Sequence, residues 1–218
     1  MRVYVKTDDK NRVTAVNSEI FISDKTGWVE IDKGDGDRYV HAQGNYLPKP
    51  LTTSEGYYRY KYDNGNVVER SEEEINSDAF LDIISQKKAE LSTECEKAIV
   101  TGVDVGDAHY SLTIEDQANI LALTPLAQAG NSVFYHQDGE MCREYSSDEF
   151  LAVVNAATVF KTLQTTYCNL LMRQVEAMTD AEEVKAVKYG VTELTGEFAE
   201  RYEMIKATLI GDSGETNN

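Results

Sequence analysis

The chain has 218 residues, 41% of them apolar and 27% charged, with a net charge of −17. That apolar share buries a core and argues against wholesale disorder, and the length fits one large domain or two small ones. A surface this acidic repels phosphate backbones and anionic lipid headgroups, so nucleic acid and membrane surfaces are poor partners.

No apolar run approaches the ~18 residues of a membrane span, and the N-terminal MRVYVKTDDK lacks the apolar core of a signal peptide. The expected compartment is therefore the cytoplasm. Cys95, Cys142 and Cys168 are far apart and show no CxxC spacing. They read as reduced thiols acting as small apolar residues.

Residues 1–70 read as a small antiparallel β module. Arg2, Tyr4 and Lys6 alternate with Val3 and Val5, Asp8 to Asn11 make a turn, and Val13, Ala15 and Val16 resume an extended run. Glu19 to Ser23 and Gly27 to Ile31 give two more short strands, with Trp28 as a core anchor. The expected apolar set of the module is Val3, Val5, Ile20, Phe21, Trp28, Ile31 and Tyr39. Tyr57 to Tyr62, the turn Asp63-Asn64-Gly65 and Asn66 to Glu69 form a hairpin, because Asn-Gly supplies the positive φ of a tight turn. Tyr58, Tyr60 and Tyr62 fall on one face of it at period two.

At Ser71 the pattern becomes helical. Ser71 with Glu74 makes a capping box, and three consecutive acids, Glu72 to Glu74, suit the positive end of the helix dipole. The helix can run to Val100, about 45 Å, with Leu81, Ile84, Lys88, Leu91, Cys95 and Ala98 along a heptad seam. A rod of that length reads as a connector over 71–102, or as a helix that pairs with copies of itself.

The rest, 103–211, reads as a mainly α-helical domain with one β-hairpin. Thr113 with Asp116 opens a helix that Pro125 kinks or ends. Ser132 to Tyr135 and Met141 to Tyr145 flank a turn at Gln137-Asp138-Gly139. Ser146 with Glu149 caps a second long helix reaching about Met178. Its seam is Phe150, Val153, Ala157, Phe160, Gln164, Tyr167, Leu171, Gln174 and Met178, and its glutamines could fix register. Thr179 with Glu182 starts a short helix ending near Gly190. A last helix carries Leu194, Phe198, Tyr202, Ile205 and Leu209, and 212–218 is a polar tail expected to be mobile. The fold class is α+β.

Side chains that could carry chemistry do not converge in the sequence. Asp32, Asp35 and Asp37 with their interleaved glycines look like half of a calcium loop, but the spacing lacks Gly at the sixth loop position and Glu at the twelfth. His41, His109 and His136 fall in different elements without the spacing of a zinc site. Cys168 lies inside a helix near its seam, where thiols are buried and inert. No serine-nucleophile elbow or phosphate loop is present, and among 38 acidic residues no carboxylate pair stands out as a glycosidase would need. The expectation is a protein with no catalytic residue, no cofactor and no metal. Tyr39, Tyr46, Tyr57, Tyr58, Tyr60 and Tyr62 cluster in a short β region and suggest a recognition surface.

The run Gly36 to Leu47, reading GDRYVHAQGNYL, carries a family resemblance together with Gly27-Trp28 and the exit Arg70 to Ile75, reading RSEEEI. Over Val29 to Ile75 the chain resembles the N-terminal module of Gram-positive bacteriophage proteins of the SP-beta YorD type. Residues 78–200 look like helical domains at the C-terminal ends of phage tail-fibre and baseplate-region proteins. The resemblance implies a structural or adaptor component of the tail tip, baseplate or tail fibre. Its partners would be other phage tail proteins, and its place the host cytoplasm during assembly and then the virion tail. The long seams imply a coiled-coil homo-oligomer, with a trimer expected, and Tyr39, His41, Asn45 and Tyr46 are the expected docking residues. The alternative is a tail-fibre assembly chaperone absent from the mature particle.

Overall fold

The computed structural model describes residues 1–211 and is an α+β chain. The expected tail, 212–218, lies outside the described residues. The chain divides into two compact units, the first Met1–Asp82 and the second beginning at Ile83.

The first unit is built on β1 (Arg2–Thr7), with β2 (Val13–Ser18) on one side and β3 (Trp28–Lys33) on the other, all antiparallel. Val5 pairs with Val16 across one ladder and with Val29 across the other. Being central, β1 is covered on both faces. Val3 and Val5 enter the core with Val13, Val16, Ala42 and Tyr60, while Tyr4 lies on the far face under the Lys25 ammonium, 4.8 Å from the ring centre. Two helical turns follow, α1 (Asp37–Val40) and α2 (Ala42–Asn45), then the hairpin β4 (Tyr60–Asp63) and β5 (Asn66–Glu69). The hairpin turn has φ of 48° at Asn64 and 87° at Gly65, the positive pair that Asn-Gly was expected to supply.

The long helix α3 (Glu72–Val100) begins at the expected capping box: Glu74 N–H donates to Ser71 Oγ at 3.2 Å, and Ser71 N–H donates to Glu74 Oε2 at 2.9 Å. The unit boundary falls inside this helix. The 71–102 segment is therefore not a free connector: its first turns belong to the first unit and the remainder to the second.

The second unit continues with β6 (Val103–Val105), β7 (Ala108–Tyr110), α4 (Ile114–Gln128), β8 (Val133–Tyr135), β9 (Arg143–Tyr145), α5 (Ser147–Ala177), α6 (Ala181–Ala186) and α7 (Gly196–Gly211). Its core gathers Leu112, Ile120, Tyr110, Tyr135 and Tyr145 around Phe150. The Phe150 ring meets Tyr135 edge-on at 5.3 Å, and its full burial is worth on the order of 3 kcal/mol. Gly102 is required where α3 hands over to β6. It has φ of +90°, and a Cβ there would lie 2.1 Å from the Tyr110 carbonyl oxygen.

The two long seams meet each other within this unit. Cys95 Sγ approaches the Gln164 carbonyl, Cys168 Sγ approaches the Leu91 carbonyl, and Lys88 pairs with Glu176, so α3 and α5 run antiparallel. The buried line on α3 is Lys87, Leu91, Cys95 and Ile99, which shares Leu91 and Cys95 with the expected heptad and leaves Leu81 exposed. On α5, Phe150, Val153, Ala157, Leu171 and Gln174 are buried as expected, joined by Cys168 and Val175. The two glutamines bind the chain's own later segment: Gln164 Oε1 accepts from the Tyr189 hydroxyl at 2.6 Å, and Gln174 Oε1 accepts from Thr195 N–H at 2.8 Å.

Several local expectations need correction. Glu19–Phe21 is a 3-10 turn rather than a strand. Buried Ser18 ends the sheet there, because its Oγ lies 2.7 Å from both the Tyr39 and Val40 carbonyls and accepts from Ala42 N–H at 3.1 Å. The turn leaves Ile20 and Phe21 more than half exposed, at 55% and 51%, outside the core where they were expected. Trp28 is half-buried on the edge strand β3, with the Lys6 ammonium 5.2 Å from its ring centre, and is not a core anchor. The hairpin β6–β7 went unpredicted, although its two-residue turn Gly106-Asp107 is a hairpin signal. Helix α4 continues through Pro125. The carbonyl that loses its partner there is that of Leu121, on the exposed face, where water can serve it. The cap of α6 is Asp180, not Thr179: its Oδ1 accepts from Glu182 and Glu183 N–H groups at 2.8 and 2.9 Å. That helix stops at Ala186, short of Gly190.

Candidate docking site in the Gly34 to Leu47 loop

Strand β3 delivers Asp32 to the base of the loop, and the loop folds around this carboxylate. Asp32 Oδ2 accepts from the Tyr46 hydroxyl at 2.9 Å and the Tyr39 hydroxyl at 3.1 Å, while Oδ1 accepts from Lys33 N–H at 2.7 Å. These bonds, that from Tyr46 foremost, hold the Asp32 carboxyl below its ordinary value. Burial, aided by the carboxylate, pushes the Tyr46 phenol up to about 12. The Arg38 guanidinium lies over both rings, 4.7 Å from the centre of Tyr46 and 5.9 Å from that of Tyr39. The Tyr39 ring packs on Gly34, where a Cβ would come within 2.4 Å of it. That close approach gives the first glycine of the loop a steric reason.

His41 and Asn45 share the second carboxylate. Asn45 Nδ2 donates to Asp37 Oδ2 at 2.6 Å, and His41 Nε2 lies 3.7 Å from Asp37 Oδ1. The His41 ring stacks on Phe21 at 6.2 Å between centres. All four residues expected at the docking surface, Tyr39, His41, Asn45 and Tyr46, therefore come together in one loop. The Tyr39 and Tyr46 hydroxyls turn inward to Asp32 and hold the loop's shape, while His41 and Asn45 are exposed. The outward part is the tip formed by Ile20, Phe21 and His41.

Asp32, Arg38, Ile20 and Phe21 were not among the expected site residues. Asp32 was weighed only as a metal ligand, and Ile20 and Phe21 were assigned to the core. One signal was available. Adjacent Ile20 and Phe21 in an extended strand would point to opposite faces, so both cannot enter one core. Two clefts flank the loop. One, of about 610 Å³, is bounded by Thr14, Val16, Gln43 and Lys49. The other, of about 470 Å³, is bounded by Asp32, Arg38, Tyr46, Asn66 and Glu69.

The remaining candidate groups are dispersed. Asp35 faces the N-terminal ammonium at 3.8 Å. His109 lies 2.7 Å from both Asp104 Oδ1 and the Thr101 carbonyl, and these bonds raise its affinity for a proton. His136 stacks on Tyr135 at 5.4 Å. Cys168 is buried, and desolvation followed by its neighbour Cys95 pushes its thiol up to about 12, far from a nucleophile's range. Among the described residues no three His, Cys, Asp or Glu side chains are grouped to hold a metal ion, and no helix is long and apolar enough to cross a membrane.

Fold and site define a two-unit α+β chain, with a preorganised loop on the first unit and a helical second unit closed on itself. Residues 82–189 match the family model described as a domain of unknown function, DUF4376. The match begins at the residue where the first unit ends, so the matched segment is most of the second unit. No curated protein and no solved structure matches the chain.

Proposed function

We propose that this chain is a non-enzymatic bacteriophage virion protein, an adaptor or structural component of the tail tip, baseplate or tail fibre. It docks to another tail protein through the Gly34 to Leu47 loop. The observation that carries this reading is the convergence of Tyr39 and Tyr46 on the single Asp32 carboxylate. It holds the loop in one shape before any partner arrives, with exposed His41 stacked on the exposed Phe21 ring of the neighbouring turn. A rigid apolar and aromatic tip loses little conformational freedom on binding, which favours protein docking. The phage context rests on the likeness of Val29 to Ile75 to the phage module.

The test is virion incorporation of a variant carrying Phe21→Ser and His41→Ala, both exposed positions. Mass spectrometry of purified particles should find the natural chain and lose the variant, with the circular dichroism of the isolated variant unchanged. A variant incorporated at full copy number would rule out this surface. A natural chain abundant in the lysate but absent from particles would replace the adaptor reading with that of a tail-fibre assembly chaperone.

A further inference from the structure

Within the second unit the two seams that suggested self-association pack largely on each other, which turns attention to other faces for a contact between copies. One stands out by charge. From Gln117 to Gln137 there is no Asp, Glu, Lys or Arg, in a chain of net charge −17. This stretch covers most of α4 and all of β8, and together with Ile114 it leaves four large apolar side chains outside. Ile114 is 78% exposed, Leu121 74%, Phe134 69% and Leu126 51%.

Beside Leu121 lies a groove of about 410 Å³ between α4 and α5, lined by Leu112, Ala118, Leu121, Val154 and Ala157 with Lys161 at its rim. Gln117 accepts from Lys161. A protruding leucine and an apolar recess thus sit on one face. That is the condition for a self-complementary two-fold contact, in which the same patch serves both partners.

We propose that this face binds a second copy of the chain, with Leu121 of each copy entering the groove of the other. The argument for a second copy is electrostatic as well as steric. Two molecules of charge −17 repel over most of their surfaces, and they meet without that repulsion where α4 carries no charge. The fifteen residues of α4 span about 22 Å. With the adjoining part of α5 this is a face of roughly 600 Å² per copy, the lower end of specific interfaces. The inference does not depend on the phage reading.

The experiment is sedimentation equilibrium of the full chain from about 1 to 200 µM, with Leu121→Glu beside it. The natural chain should show a reversible dimer. The substitution acts twice in a two-fold dimer and should weaken association on the order of a hundredfold, with circular dichroism unchanged. Met141→Glu, at an 89% exposed position away from α4, should leave the dimer intact. If Leu121→Glu disturbs the fold, Ile114→Glu at a still more exposed position makes the same test. A monomeric natural chain at 200 µM, capture of a different protein by this face in place of a copy, a variant that dimerises equally well, or equal weakening by Met141→Glu would each overturn the proposal.

Discussion

Asp78 accepts a hydrogen bond from Arg70 at 2.7 Å, with the two side chains only 12% and 6% exposed. The same oxygen accepts from Arg12 at 2.9 Å, and Arg70 also donates to the carbonyls of Tyr58 and Glu74. One carboxylate thus joins the start of α3, the approach to the β4–β5 hairpin and the turn between β1 and β2. Asp78→Ala would remove the carboxylate that the two guanidinium groups share, leaving Arg70 its two carbonyl acceptors and Arg12 its bond to Asp8. The expected cost to the first unit is about 2–3 kcal/mol, below the figure for a fully buried pair. Urea unfolding followed by Trp28, the only tryptophan, reports this unit. A midpoint unchanged from the natural chain would show that the network is dispensable.

The same network predicts acid sensitivity. Burial alone would raise the Asp78 carboxyl, but Arg12 and Arg70 overcome it and hold it below its ordinary value. Asp8 is lowered in the same way by Arg12, and Asp32 by Tyr46. A carboxylate depressed in the folded state contributes stability that is complete above its unfolded value, near 4, and is lost as pH falls through the folded value. The Trp28 midpoint should therefore be flat between about pH 5 and 7 and drop below about pH 4. Asp78→Ala should make that drop shallower.

His109 has the opposite sign. Asp104 and the Thr101 carbonyl raise it, so its contribution is present below about pH 6.5 and fades as pH rises through the folded value. An NMR titration of its ring should give a midpoint above the ordinary value of a histidine, and Asp104→Asn should move it downward. A midpoint unmoved by that substitution would dissociate the pair.

Tyr46→Phe keeps the ring under Arg38 and removes only the bond to Asp32. The expected loss is about 1–2 kcal/mol, with the Asp32 carboxyl rising toward its ordinary value. Tyr46→Ala should cost more and loosen the loop, because the ring itself is half-buried. Equal stability of the two variants, measured by Trp28 fluorescence in urea, would show that the ring contributes no packing.

The three cysteines should separate by access. Cys142 is exposed while Cys95 and Cys168 are buried. A thiol reagent should modify one group promptly in the folded chain and three in urea. Prompt modification of Cys168 would contradict the packing of α3 on α5.

Much of this chain was legible because its strongest signals are local. The caps at Ser71, Thr113 and Ser146, the Asn64-Gly65 turn and the alternation of Arg2 to Lys6 each depend on residues within a few positions of one another. They locate the two long helices and two of the hairpins and establish the α+β class. Gathering Tyr39, His41, Asn45 and Tyr46 in one site was equally within reach, since a single loop holds them all. What the residues could not decide by themselves is which surface covers which. Apolar periodicity marks a face that must be buried but does not name the partner, and the seams of α3 and α5 read equally well as a contact between copies. Tertiary packing decided that they bury each other, through Cys95 against Gln164 and Cys168 against Leu91. It also decided that Ser18 turns the chain off the sheet and sends Ile20 and Phe21 outward. Hydrophobic burial is non-directional, so only the assembled chain determines where each apolar face finds its cover.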